Sequence, residues 1–192
     1  MLFVGPSTAA PPHALSVRTI LVIRFRHLGD LVLTSGLFQN LRAAFPNAKL
    51  ALLCDPRFAE FLEKQPPIDT VWVLPKRGYV CGSLLKGWLR LTWDLVRTEF
   101  DAVIDLADTR TSSQIVRLLR SPVRIGYQPP LRLRRQWWEG RAYNTHIRPN
   151  RLGDAEHVVD SYLAPLKQLG QMIVQRQPKL NDCSAPAQAR HE

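Results

Sequence analysis

The feature that most constrains the fold of this chain is a repeated alternation between short apolar runs and segments with helical spacing. Residues 19–24 form a continuous apolar run of strand length that is rich in β-branched side chains. Residues 30–44 then show helical spacing, with Leu33 and Leu37 one turn apart. The same alternation predicts further strands at residues 49–54, 70–74, 102–106 and 123–127, and helices at residues 56–63, 84–99 and 112–120. Strands that are apolar on both faces and separated by helices predict an α/β, Rossmann-like fold, a parallel sheet with helices on both faces.

The two ends of the chain depart from this pattern and set the expected domain limits. Residues 1–17 are rich in Ala and Pro and lack the continuous apolar segment of a signal peptide. A loop-rich basic stretch at residues 128–150 precedes a closing helix predicted at residues 155–169. We therefore expect a flexible leader at residues 1–17 and one Rossmann-like domain at residues 18–177. Residues 178–192 are expected to form a tail or the start of an interdomain linker.

Apolar runs and cysteines exclude several classes of protein. The longest apolar runs are far shorter than the roughly 20 residues that a bilayer-spanning helix needs, so no transmembrane helix is expected. Cys54, Cys81 and Cys183 show no C-x-x-C spacing, which argues against a disulfide framework or a zinc site. We expect a protein without a bound metal in a reducing cytoplasm.

The charge of the chain favours phosphate-rich partners. Its 26 basic and 16 acidic residues give a formal net charge of +10, which would attract nucleotides, nucleic acids or anionic lipid surfaces. Charge alone does not choose among these. The excess is concentrated in one third of the chain, at Arg117, Arg120, Arg124, Arg132, Arg134, Arg135, Arg141, Arg148 and Arg151.

The loop after the first strand is the first candidate site, because ligands of open parallel sheets bind at the carboxyl ends of the strands. Residues 25–30 place Gly29 and Asp30 at the start of the next helix. A carboxylate there could take a proton from a sugar hydroxyl, as glycosyl transfer to an alcohol requires. Alternatively, Asp30 caps the helix and stabilises it by about 1 kcal/mol. Neither standard glycine-rich phosphate motif follows the first strand.

The loop after the fourth strand is the second candidate. It combines the carboxylates of Asp105 and Asp108 with Arg110 and hydroxyl side chains, a set that suits a sugar or phosphate ligand. The alternative is that Asp108, Thr111 or Ser112 caps the following helix while Arg110 is solvated. Both interpretations remain open from the sequence.

The basic stretch at residues 132–151 is the third candidate. Its basic side chains alternate with Trp137, Trp138 and Tyr143, which suits an acceptor that carries phosphate. Alternatively, it is a solvated basic loop with the tryptophans packed beneath it.

Several segments, taken in order, resemble glycosyltransferase family 9, the ADP-heptose:lipopolysaccharide heptosyltransferases. The segments ILVIR at residues 20–24 and HLGD at residues 27–30 resemble the opening strand and the Gly-Asp loop of that family. Further similarity lies in NLRAAFP at residues 40–46, FDAVIDL at residues 100–106, RIGY at residues 124–127 and HVVD at residues 157–160. The resemblance spans about residues 18–170.

The resemblance implies one half of a GT-B fold, in which two Rossmann-like domains face each other across a cleft. This chain would supply the N-terminal acceptor domain, and the nucleotide sugar would be bound mainly by a donor domain that we expect to be absent, as in a truncated or split form. Asp30 matches the general base of the family, which would activate an acceptor hydroxyl for inverting attack on ADP-heptose, without a cofactor or metal. Together with the polar residues of the three candidate segments, this gives expected acceptor-binding roles to Arg26, His27, Gly29, Asp105, Asp108, Arg110, Arg132, Arg134 and Arg135, although Asp108 and Arg110 stand where the chain departs from the family's usual sequence.

The expected function is therefore heptosyl transfer from ADP-heptose to the lipopolysaccharide inner core. A separate donor-domain chain is an expected partner. The expected location is cytoplasmic, with peripheral contact to the anionic inner face of the inner membrane. A non-catalytic Rossmann-like acceptor-binding module is the alternative. A nucleic-acid-binding protein is suggested only by charge, which predicts a salt-sensitive affinity without sequence preference.

Overall fold

The computed structural model describes residues 17–65, 67–75, 81–128, 142–148 and 157–178, without the side chains of residues 81–84. The predicted leader lies outside this part of the chain except for residue 17, and the predicted tail except for residue 178. Three predicted acceptor-binding residues, Arg132, Arg134 and Arg135, also lie outside it, as do Trp137 and Trp138.

The described residues form one six-stranded sheet in which every pairing is parallel. Its strands are β1 (Thr19–Ile23), β2 (Lys49–Cys54), β3 (Thr70–Val73), β4 (Ala102–Asp105), β5 (Val123–Tyr127) and β6 (Thr145–Ile147). Their spatial order is β3-β2-β1-β4-β5-β6. Strands β2 and β3 therefore lie on one side of β1, and the chain then returns so that β4, β5 and β6 lie on the other side. This reversal opens a crevice at the carboxyl ends of β1 and β4, where ligands of such sheets bind.

Helices cover both faces of the sheet. They are α1 (Leu28–Ala44), α2 (Ala59–Glu63), which follows a 3-10 turn at Pro56–Phe58, α3 (Cys81–Arg97), α4 (Arg110–Leu118) and α5 (Val158–Gln168). Because side chains alternate along a strand, β1 sends Ile20 and Val22 to one face and Leu21 and Ile23 to the other. The first face packs against α1, α2 and α5, and the second against α3 and α4. The predicted α/β class and Rossmann-like layout are confirmed.

The sequence prediction missed one strand. β6 lies at the sheet edge within the stretch that was predicted to be loop-rich. It is only three residues long, and two of them, Thr145 and His146, are polar, so no apolar run marks it. Backbone pairing with β5 holds it in place, including the Gln128 N–H that donates to the carbonyl of Ile147 at 2.8 Å.

Helix starts also differ from the prediction. α1 begins at Leu28 rather than at Asp30, and α4 begins at Arg110 rather than at Ser112. α5 begins at Val158 rather than at residue 155, because His157 is extended and its ring accepts the Val159 N–H. In the described part of the chain, no helix is both long and apolar enough to cross a membrane.

Candidate functional site at the carboxyl edge of the sheet

Arg24, the residue after β1, ties together four elements at the carboxyl edge of the sheet. Its guanidinium donates to the carbonyl of Leu106 after β4, to the Asp30 carboxylate in α1 and to the Tyr162 hydroxyl in α5. The last of these bonds is 3.0 Å long, and the guanidinium carbon also lies 5.3 Å from the centre of the Tyr162 ring. Its Nε is buried and has no hydrogen-bond partner among the described residues. The arginine therefore sits at the switch point of the sheet.

Asp30 is oriented by two side chains from other elements, Arg24 after β1 and Tyr162 in α5. Its Oδ2 accepts from Arg24, and its Oδ1 accepts from the Tyr162 hydroxyl at 2.8 Å. The side chain of Asp30 is still 24% exposed, so solvent or a ligand can reach it. The N-cap of α1 is His27, without a side-chain cap bond, so the alternative that Asp30 caps the helix is wrong. Asp30 instead occupies the first turn, where the helix dipole favours a negative charge.

The start of α1 is open toward solvent. His27 has a φ of 56°, a left-handed conformation that is uncommon for a residue with a side chain. Both His27 and Gly29 are exposed, and a Cβ on Gly29 would meet no atom within 4 Å. The first backbone N–H groups of a helix have no partner within the helix. The predicted residues His27 and Gly29 thus lie where an anionic group can approach backbone donors.

Asp105, at the end of β4, is buried instead. It is 1% exposed, and its carboxylate accepts from the Tyr143 hydroxyl at 2.5 Å and from the Ala107 N–H at 2.8 Å. Burial raises the pKa of the Asp105 carboxyl, and hydrogen bonds from Ser112 and Tyr143 oppose that rise. The predicted contact between Asp105 and a ligand therefore needs correction, because the carboxylate faces the protein interior.

Asp108, which follows in the same loop, and Arg110, the first residue of α4, are exposed. The cap of α4 is Thr109, whose hydroxyl accepts from the Ser112 N–H at 3.1 Å while the Ser112 hydroxyl accepts from the Thr109 N–H at 3.0 Å. Of the predicted alternative caps, only Ser112 takes part, as the partner in this capping box. Asp108 has a φ of 46° and remains outside the cap. Desolvation raises the pKa of the Asp108 carboxyl, and the positive charge of Arg24 opposes that rise.

Tyrosines complete the cluster. Burial is the main cause that raises the pKa of Tyr127, at the end of β5, to about 12. The charge of Arg24 lowers the pKa of Tyr127, whereas the charges of Asp108, Asp105 and Asp30 raise it.

The pKa of Tyr162 is raised first by burial and then by its hydrogen bond to Asp30. Arg24, Tyr127 and Tyr162 were not predicted as site residues, and Tyr143 was predicted only as one of the aromatics in the basic stretch. Arg24 carried a usable signal, since it is a charged residue at the end of an apolar strand, whereas Tyr162 had none.

A groove of about 740 Å³ opens at the same edge, beside α3 and α4. Its walls include Arg26, Asp55, Arg57, Trp88 and Thr109. Arg57 pairs with Asp55 at 2.9 Å, and this hydrogen bond lowers the pKa of the Asp55 carboxyl. The predicted residue Arg26 therefore lies in a groove that offers charged, hydroxyl and aromatic groups together.

The structure thus gathers most of the predicted site at one edge. Arg26 and His27 lie in the loop after β1, and Gly29 and Asp30 in the first turn of α1. Asp108 lies in the loop after β4 (Ala102–Asp105) and Arg110 opens α4, whereas Asp105 turns inward. Among the described residues, no group of three or more His, Cys, Asp or Glu side chains is arranged to hold a metal ion.

Comparison with known proteins gave sequence and structural relatives but no matching family model. The chain is 26% identical over 145 residues to lipopolysaccharide heptosyltransferase 3 of Escherichia coli K12, a match that covers 76% of this chain and 40% of that protein. The chain thus spans about two fifths of the length of the curated relatives that it matches.

Solved structures share the fold at low identity. A glycosyl transferase family 9 protein from Veillonella parvula superposes with a TM-score of 0.66 and 22% identity, over 85% of this chain and 45% of that one. E. coli heptosyltransferase WaaC with ADP-2-deoxy-2-fluoro heptose gives a TM-score of 0.65 and 19% identity, over 83% of this chain and 51% of that one. E. coli ADP-heptose lps heptosyltransferase II gives a TM-score of 0.63 and 17% identity, over 86% of this chain and 47% of that one.

Proposed function

We propose that this chain, which is related to the heptosyltransferases of glycosyltransferase family 9, is the acceptor-side domain of an inverting glycosyltransferase that transfers heptose from ADP-heptose to the lipopolysaccharide inner core. Its similarity to heptosyltransferase 3 and the fold that it shares with WaaC and heptosyltransferase II support the proposal. The observation that carries it is Asp30, a partly exposed carboxylate that Arg24 and Tyr162 hold at the switch point of the sheet.

Asp30 acts as the general base in this proposal. The acceptor hydroxyl gives its proton to the Asp30 carboxylate as its oxygen attacks the anomeric carbon of the donor sugar. The new glycosidic C–O bond forms while the bond from that carbon to the ADP oxygen breaks, and ADP leaves with the electron pair. Arg24 and Tyr162 fix the direction of the carboxylate, so that the base needs little reorganisation before the proton moves.

The acceptor is bound by groups around Asp30. The positive charge and open helix start of the loop after β1, at Arg26, His27 and Gly29, suit the phosphorylated sugars of an inner-core acceptor. Arg110 adds a cation from the neighbouring loop, and Asp108 can accept from sugar hydroxyls. Arg132, Arg134 and Arg135 are proposed as further acceptor contacts. Asp105 contributes by shaping the loop through Tyr143 rather than by touching the acceptor.

The proposal also covers where the donor sugar binds and where in the cell the domain works. The nucleotide sugar is bound mainly by a second, donor-side domain, on the same or a separate chain, and no cofactor or metal takes part. The domain works in the cytoplasm at the inner face of the inner membrane, where lipid-linked acceptors are found.

The second candidate is a non-catalytic module that binds the acceptor. One observation favours it: both carboxylate oxygens of Asp30 already accept hydrogen bonds from protein groups, so a proton from a substrate must compete with Tyr162.

A transfer assay separates the two candidates. The purified chain is mixed with ADP-heptose and heptose-deficient core lipopolysaccharide, alone and with the donor-side domain of a family 9 enzyme, and the product mass is measured. Heptose addition in either mixture is expected. Binding of the acceptor without heptose addition in both mixtures would overturn the enzyme proposal and leave the binding module.

A further inference from the structure

Helix α3 (Cys81–Arg97) is apolar on two sides, although only one of them packs against the sheet. Leu91 and Leu95 face the core and are buried. A second row is exposed to solvent: Leu85 at 61%, Leu89 at 61%, Trp93 at 60% and Val96 at 42%. Spacings of three and four residues place this row on one side of the helix. Monomeric soluble proteins rarely expose a continuous apolar row of this kind without a use for it.

The exposed row continues onto helix α4 (Arg110–Leu118). Leu118 is 51% exposed and, like Val96, lines an open cavity of about 800 Å³ at the ends of the two helices. We call Leu85, Leu89, Trp93, Val96 and Leu118 the α3–α4 patch.

Basic side chains border the α3–α4 patch. At about 100° per residue, Lys86, Arg90 and Arg97 lie together along one side of the apolar row. The guanidinium of Arg97 also lies over the Trp93 ring, 4.5 Å from its centre. Arg117 and Arg120 flank Leu118, and all five basic side chains are exposed.

Few negative charges offset them. Asp94 approaches Arg90 at 3.9 Å, and Glu99 follows the helix. The border of the patch is therefore positively charged.

We propose that the α3–α4 patch docks this domain on an anionic phospholipid membrane. A helix that exposes leucines and a tryptophan next to basic side chains matches interfacial helices, whose apolar side chains enter the acyl boundary while their cations meet anionic headgroups. Anionic headgroups complement this positive border, whereas a second copy of the chain packed on the same patch would bring like charges together. The docking itself is independent of the proposed glycosyl transfer.

Docking in this orientation has a consequence for the candidate site, and this step rests on the proposed function. Trp88 lies on the same helix as the patch and lines the groove that contains Arg26. A membrane under α3 would therefore lie close to the groove, so a lipid-linked acceptor could reach it without leaving the bilayer.

Flotation with vesicles tests the proposal on the full chain. Vesicles of phosphatidylethanolamine and phosphatidylglycerol are compared with phosphatidylcholine vesicles at low salt. The double variant Leu89→Ser/Trp93→Ser should bind the anionic vesicles about tenfold more weakly, because it removes two inserting side chains. The matched control, Met172→Ser/Val174→Ser, changes two apolar residues that are 85% and 78% exposed elsewhere and should bind like the unmodified chain.

Charge reversal gives a second, independent test with no apolar change. Lys86→Glu/Arg97→Glu should weaken binding to the anionic vesicles at least tenfold. The control Lys64→Glu/Lys167→Glu makes the same change in net charge at exposed positions, one at the end of α2 and one on α5, and should have a much smaller effect. Thermal melting of each variant checks that it is folded.

Three results would overturn the proposal. The unmodified chain could fail to float with anionic vesicles, or both charge pairs could weaken binding equally, which would make binding a property of net charge alone. The chain could instead self-associate through the patch, seen in sedimentation velocity as a dimer that Leu89→Ser/Trp93→Ser disrupts, with no vesicle binding. A chain that floats but transfers no heptose would retain the docking proposal and lose the enzymatic one, and an active chain that does not float would do the reverse.

Discussion

Asp30, in the first turn of the helix after β1, and Asp105, at the end of the neighbouring strand β4, stand at the same edge of the sheet, and each accepts a hydrogen bond from a tyrosine hydroxyl. Asp30 accepts from Tyr162 at 2.8 Å, and Asp105 accepts from Tyr143 at 2.5 Å. Yet the side chain of Asp30 is 24% exposed, whereas Asp105 is only 1% exposed.

The difference shows that a position at the carboxyl edge brings a carboxylate to the site but does not decide its role. Asp30 is held by a charged partner, Arg24, and keeps access to solvent. Asp105 is held by backbone and hydroxyl groups inside the protein. We therefore expect Asp30 to matter mainly for chemistry and Asp105 mainly for stability.

The largest difference in stability should come from removing each carboxylate in turn. Asp105→Ala should lower the free energy of unfolding by about 3 kcal/mol, because it leaves the buried Tyr143 hydroxyl and Ala107 N–H without an acceptor. Asp30→Ala should cost about 1 kcal/mol, since its ion pair is partly solvated. Urea denaturation measures both. Equal losses would break the distinction between a structural and a chemical carboxylate.

Two glycines sharpen the same comparison. A Cβ on Gly126 in β5 (Val123–Tyr127) would lie 2.5 Å from the ring of Tyr143, the partner of Asp105. Gly126→Ala should therefore destabilise the fold by about 2 kcal/mol, the usual cost of overpacking. Gly29→Ala, next to Asp30, meets nothing within 4 Å and should leave stability unchanged or slightly raised. Thermal melting compares the two variants, and a larger loss for Gly29→Ala would contradict this account.

The pH dependence of stability distinguishes Asp105 from an ordinary carboxylate. Burial raises its folded pKa above the ordinary value of 3.8, so the folded state holds the proton more tightly than the unfolded state does. Stability from this group is therefore greatest below pH 3.8 and falls as pH rises toward the folded pKa. Asp105→Asn lacks this proton, so the unmodified chain should lose stability relative to that variant as pH rises. If the stability of the unmodified chain relative to Asp105→Asn stayed constant or increased with pH, folding would not raise the pKa of Asp105.

The smallest expected loss of stability comes from changing Tyr162, the tyrosine that donates to Asp30. Tyr162→Phe removes the hydroxyl that donates to Asp30 and accepts from Arg24, and should cost about 1 kcal/mol in urea denaturation. On the proposed function, it should also slow transfer more than it weakens acceptor binding, because Tyr162 positions the base. Weaker binding with an unchanged rate would assign Tyr162 to acceptor recognition instead.

The sheet was largely predictable because its central strands are continuous apolar runs. Five of the six strands follow from that pattern, and the sixth, Thr145–Ile147, does not, since backbone pairing at an edge needs no apolar sequence. Helix starts were less predictable. The chain begins α1 (Leu28–Ala44) after a residue with positive φ, His27, which no spacing rule identifies.

The candidate site was predictable only where local sequence determines it. The position of Asp30 follows from a strand, a short loop and a helix in succession. Its partner Tyr162 is 132 residues away, and the partner of Asp105, Tyr143, is 38 residues away, so both pairs depend on how α5 and β6 pack. Burial, which separates the roles of the two carboxylates, is likewise set by the whole fold.

The most direct test of the account compares Asp30→Asn with Asp69→Asn in the heptose transfer assay, with acceptor affinity measured in parallel. Asp69 is a matched control, because it is also an aspartate paired with an arginine, Arg42, but it lies at the opposite edge of the sheet. Asp30→Asn should lower the transfer rate by about 10² to 10⁴ while acceptor affinity stays nearly unchanged, and Asp69→Asn should transfer at the rate of the unmodified chain. An Asp30→Asn variant that transfers heptose as fast as Asp69→Asn would contradict the role of Asp30 as the base.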